Sequence, residues 1–117
     1  MVDFGFGFDL PGRFRPGDVP MHIVNSGSAL HEINLLRLNP EATMAQALHG
    51  LHQLEQGKDV HLPGQVVELL GPVAPGWDGY VKAPLAPGRY LVMCLIFEED
   101  LGKAHTQLGM VGSFTVP

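Results

Sequence analysis

The run "RYLVMCLIF", Arg89 to Phe97, is apolar at both alternating parities. Side chains along a strand point alternately to opposite faces, so a strand of this composition must be covered on both sides and belongs in the middle of a sheet. The rest of the chain offers partners for it. "DVPMHIV" carries a strand through Met21, Ile23 and Val24 that stops at the turn-forming Asn25, Ser26 and Gly27, and "LHEINLLRL" follows directly. Further strands are expected in "VVELL", from Tyr80 to Leu85, and in "MVGSFTV". At the start, "VDFGFGFDL" alternates Val2, Phe4, Phe6 and Phe8 with small or acidic residues, the period of a half-buried strand.

One segment breaks this rhythm. In "TMAQALHGLHQLEQG" the apolar residues Met44, Ala47, Leu48, Leu51 and Leu54 recur at intervals of three and four, which predicts a helix from about Thr43 to Gln56. Thr43 with Gln46 has the form of a capping box, and Gly57 is placed to end the helix in the left-handed region. About seven short strands between Gly/Pro turns, with one inserted helix, predict an all-β fold, an antiparallel β-sandwich. Its 117 residues suit one domain spanning 1–117, with no linker or repeat to divide it.

The charge excludes some functions. Twelve acidic against seven basic residues give a net charge of −5, with no Lys/Arg cluster to neutralise a phosphate backbone, so nucleic acid is not an expected partner. No apolar run approaches the length of a membrane span. Met1 leads into "VDFGFGFDL" without a basic segment and cleavage site, so an exported form requires a signal that these residues lack.

The chemistry-bearing residues gather around the central run. Cys94, the lone cysteine, lies near the end of its strand, and His105 and Met110 follow in the connection to the last strand. If the two strands pair antiparallel, their joined ends share one pole of the sandwich. His31 reaches that pole if its strand runs in the same sense as the last one. By parity His31 shares a face with Ile33 and Leu35, and Met110 with Phe114 and Val116, while Glu32 and Asn34 face the other way. Two imidazoles, a thiolate and a thioether form the donor set of an electron-transfer copper site, whereas zinc sites do not ordinarily use Met.

Other readings are weaker. "HEINL" lacks the second His of a zinc-protease helix, since Leu35 occupies that place. His49 and His52, on a polar helix face, and His22 and His61, without companion groups, read as solvated. A Cys94 nucleophile paired with His105 or His31 lacks an orienting partner, so an enzyme is not expected. The run Glu98, Glu99 and Asp100 reads as a solvated loop tip or an acidic rim.

"NSGSALHEI" resembles the first-ligand segment of the cupredoxins, the plastocyanin-like copper proteins. "PGRYLVMC" is similar to their cysteine-bearing strand, and "HTQLGM" to their second His and axial Met. The "HEINLLRL" strand also resembles that of bacterial cupredoxin-like exported domains. The resemblance implies a cupredoxin-like Greek-key sandwich holding one copper, with His31, Cys94 and His105 as equatorial ligands and Met110 as the axial one. It implies one-electron transfer with a redox partner through a His edge at the surface, and a periplasmic or extracellular location. A copper-free binding or structural module, or a copper carrier, is the alternative on the same fold. The chain departs from the family pattern at two points. Ten residues, "LIFEEDLGKA", separate Cys94 from His105 where a few are usual, and Glu32 stands where an Asn often follows the first His.

Overall fold

The computed structural model describes residues 12–98 and 102–117. The aromatic strand expected at "VDFGFGFDL" and the acidic side chains of Glu98, Glu99 and Asp100 lie outside what it describes. Its elements are β1 (Gly17–Val24), β2 (His31–Leu38), α1 (Met44–Glu55), β3 (Gly64–Val73), β4 (Asp78–Leu85), β5 (Gly88–Met93), β6 (Phe97–Glu98), β7 (Lys103–Ala104) and β8 (Val111–Val116). A 3-10 turn, His105–Leu108, precedes β8.

Four strands form the main sheet in the order β3-β2-β5-β8, all neighbours antiparallel. β1 and β4 pair antiparallel as a second sheet, and β6 with β7 forms a small hairpin. β5 is interior, as its two-sided apolar run requires, and both faces are covered. On one face Leu35, Tyr90, Val92 and Phe114 pack against Val19, Ala83 and Leu85 of the second sheet. On the other, Leu36, Leu91 and Met93 pack against Ala47 and Leu51 of α1. Alternate residues of the same strand therefore serve two cores, one between the sheets and one beneath the helix.

The helix has the boundaries its sequence signals. Thr43 Oγ1 accepts from the Gln46 amide and the Gln46 side chain accepts from the Thr43 amide, closing the capping box. At the other end Gly57, at φ 79°, donates to Leu54 O, and Lys58 donates to Gln53 O, the paired bonds of a Schellman ending. One member of the expected apolar face departs: Leu48 is exposed, at the rim rather than beneath the helix.

β5 is shorter than its apolar run. It ends at Met93, and Leu95 to Phe97 leave the sheet, with Phe97 exposed on the hairpin. Apolarity alone does not mark the strand end, because Cys94 stays buried and Leu95 half-buried after the ladder stops. β3 is longer than "VVELL" and runs into the Gly/Pro-rich stretch as far as Val73, against β2 with register shifts on either side of Ile33. Such irregularities bend a strand and re-aim its side chains. Here they lie at the end of β2 that carries His31.

Candidate metal centre

Strand sense decides which side chains can meet. β2 and β8 are each antiparallel to β5, hence parallel to one another, so the starts of β2 and β8 and the end of β5 lie at one pole. His31 opens β2, Cys94 follows β5, and Met110 precedes β8. His31 is 2% exposed, and Cys94, His105 and Met110 are each 0% exposed.

The long connection after Cys94 is a hairpin. β6 pairs with β7 through Phe97 opposite Ala104, and the His105 amide donates to Ile96 O at 2.7 Å. The described parts of the connection, residues 95–98 and 102–104, thus pair back on one another, and His105 comes back beside Cys94. The 3-10 turn is pinned at its start by Gln107, whose Oε1 accepts from the Ala104 amide. Gly109, at φ 110°, reverses the chain, a left-handed conformation suited to glycine. Met110 then donates its amide to His105 O at 3.0 Å and accepts at its carbonyl from the Cys94 amide at 3.1 Å. Backbone bonds therefore tie three of the four expected ligand residues together.

The side-chain donors converge as well. Cys94 Sγ is 3.4 Å from His105 Nδ1 and 4.0 Å from His31 Nδ1, and the two Nδ1 atoms are 3.3 Å apart. The rings meet edge to face, with centroids 5.0 Å apart. Around one ion bound at roughly 2.0–2.3 Å, trigonal nitrogen and sulfur donors are separated by about 3.5–3.8 Å. The observed spacings bracket that range, so the three residues fit a single soft metal ion with small adjustments. Among the described residues, this is the group of His, Cys and acidic side chains whose donor atoms are close enough to share a metal.

Both imidazoles are buried, which corrects the expectation of a His edge at the surface. His22, His49, His52 and His61 are exposed and take no part in the cluster. His22 instead pairs with Asp78 and stacks on Tyr80, and His52 lies beside Glu55.

Three supporting contacts carry weak sequence signals. Asn25, fully buried, donates to Ala29 O and Val73 O and accepts from the Gly27 amide, so it folds the loop that delivers His31. An Asn in a turn is legible in sequence, but its bond to β3 is not. Thr106 Oγ1 donates to Glu55 at the end of α1, which braces the turn holding His105 against the helix. No periodicity could have joined those two. Glu32 donates its amide to Cys94 Sγ at 3.4 Å, and its carboxylate accepts from the Leu95 amide and from Asn34 Nδ2. Glu32 and Asn34 meet on one face of β2, as their shared parity predicts.

Burial pushes the Cys94 thiol above its ordinary pKa; hydrogen bonds from the Glu32 and Ile96 backbone oppose this, and the Glu32 charge adds to it. The metal-free folded state thus holds the thiol proton more tightly than the unfolded chain does. This contribution is fully present below the ordinary thiol pKa of about 8.5 and is lost as pH rises toward the higher folded value. Cys94→Ala removes it. Urea unfolding of metal-free protein should therefore show wild type losing stability relative to Cys94→Ala above about pH 8.5, by at most ~1.4 kcal/mol per pH unit. Parallel profiles through pH 10 would contradict that assignment.

No protein-family model matches the chain, and no curated protein matches it. Among solved structures it is similar to the crystal structure of Na-dithionite reduced auracyanin from the photosynthetic bacterium Roseiflexus castenholzii. The match has a TM-score of 0.52 at 20% identity and covers 99% of this chain and 92% of that one. The fold is cupredoxin-like. The antiparallel β-sandwich expected from the strand pattern is thus the observed architecture, with α1 as its inserted helix. On this cupredoxin-like fold, the buried His31, Cys94 and His105 cluster occupies the pole where β2, β5 and β8 converge.

Proposed function

We propose that the chain, acting as one domain over residues 1–117, is a mononuclear type 1 copper protein that carries single electrons. The observation that carries this reading is the buried convergence of His31 Nδ1, Cys94 Sγ and His105 Nδ1. These would be the equatorial ligands, with the buried Met110 as the axial one. Copper bound there would supply a one-electron Cu(II)/Cu(I) couple.

The protein's part is to hold the donors still and dry. His31 is fixed by β2 and the Asn25 loop, Cys94 by its backbone bond to Met110, and His105 by the hairpin and the Thr106–Glu55 contact. Donors fixed by the fold need little rearrangement when the charge at the site changes by one, which favours rapid exchange with a redox partner protein. Binding requires Cys94 to lose its proton, so uptake should release a proton at neutral pH. None of this requires an enzyme. A periplasmic or extracellular setting follows from the resemblance to exported cupredoxin-like domains. Among the described residues no helix is long and apolar enough to cross a membrane.

X-ray absorption of the copper-loaded protein tests the ligand set. We expect one short copper–sulfur bond and two imidazole nitrogens, with one nitrogen lost in His105→Ala. A shell of oxygen and nitrogen alone would refute it.

A further inference from the structure

Glu32 occupies an unusual electrostatic position. Its amide donates to Cys94 Sγ at 3.4 Å, and its carboxylate accepts from Leu95 N at 3.3 Å and from Asn34 Nδ2 at 3.0 Å. The carboxylate is thus fixed to the residue directly after Cys94. Asn34 is itself 6% exposed and Glu32 is half-buried, so the clamp lies at the edge of the interior. The ion pairs recorded among the described residues are His22–Asp78 and His52–Glu55, and neither neutralises Glu32.

One residue therefore performs two separable tasks. As a hydrogen-bond acceptor it ties the segment after Cys94 to β2, which an amide oxygen would also do. As an anion it adds a negative charge beside the thiolate, which an amide would not. Charges near a partly buried site are screened less than those in water, and a fixed carboxylate keeps its position when the site changes oxidation state.

We propose that Glu32 is a tuning residue whose carboxylate favours the Cu(II) form of the site and so lowers its reduction potential below that given by an amide at the same position. The inference rests on the copper reading above. The sign follows from charge: the oxidised site carries one positive charge more than the reduced site, so a nearby anion stabilises it preferentially. In the reduction concerned, one electron from an electrode or a partner enters the site, Cu(II) becomes Cu(I), and no bond to Glu32 forms or breaks. The carboxylate acts only through its field and its hydrogen bonds.

Glu32→Gln separates charge from acceptor. In the copper-loaded full chain it should retain the thiolate-to-copper absorption band. Voltammetry should show a rise in potential of about 59 mV, the one-electron equivalent of a tenfold shift in affinity toward Cu(I) relative to Cu(II). Competition with Cu(I) and Cu(II) chelators should give the same tenfold change in the ratio of affinities. In the metal-free protein, hydrogen exchange at the Leu95 amide should be little changed in Glu32→Gln and faster in Glu32→Ala, which removes the acceptor. A coloured wild type with a Glu32→Gln potential equal to or below its own would overturn the role of Glu32 while leaving the copper reading intact. A wild type that binds no copper would overturn both.

Discussion

Replacing Cys94 by serine should leave a folded protein that gives no thiolate-to-copper band and loses copper on gel filtration. The substitution is nearly isosteric, and the hydroxyl can still accept from the Glu32 amide that now reaches Sγ at 3.4 Å. Circular dichroism should therefore be unchanged. The effect on the metal should be large because in the proposed site the thiolate would be the soft, anionic donor, whereas a serine hydroxyl stays protonated and is a hard donor. Altering groups that merely support a ligand typically costs 10–100-fold in metal affinity, and loss of the ligand itself should exceed that. A Cys94→Ser protein that kept both copper and an intense band would remove Cys94 from the site.

The second large effect is on stability. Leu36 is 0% exposed and lies between the sheet and α1, against the group that includes Ala47, Leu51, Leu91 and Met93. Leu36→Ala removes most of a side chain from a space bounded by a helix on one side and an interior strand on the other, where neither can easily collapse inward. The expected cost is about 3–5 kcal/mol, and the melting temperature should fall by roughly 10–20 °C. Leu48→Ala, on the same helix but 42% exposed, should cost less than ~1 kcal/mol. Similar losses at the two positions, measured by thermal unfolding of metal-free protein, would contradict the placement of the second core under the helix.

The contrast between Leu36 and Leu48 also shows what the sequence reveals and where it stops. Periodicity and capping chemistry are local, so α1 was legible to within a residue at each end, from the Thr43 box to the Gly57 reversal. Which residues on its apolar stripe are covered depends on the width of the sheet beneath, and the stripe alone does not show that Leu48 lies at the rim. The two-sided composition of "RYLVMCLIF" correctly predicts an interior strand, yet its end at Met93 depends on where the ladder to β2 and β8 runs out.

The site divides along the same line. Residue types, strand position and the resemblance to cupredoxins single out His31, Cys94, His105 and Met110, with face parity bearing on His31 and Met110, and the condition on His31 is met because β2 and β8 run in the same sense. The course of Leu95 to Ala104 was not legible. Its return to Cys94 depends on the short β6–β7 pairing and on the single backbone bond from His105 to Ile96. Long-range braces such as Thr106 to Glu55 have no periodic signature, and the burial of His105, in the 3-10 turn, depends on packing that parity does not describe.

The central claim is that the cluster holds copper through Cys94. Adding one equivalent of Cu(II) to the purified, metal-free chain and recording its visible spectrum tests it most directly. An intense thiolate-to-copper charge-transfer band that saturates at one copper per chain is the predicted result. A protein that stays colourless and releases its copper on gel filtration would contradict the account.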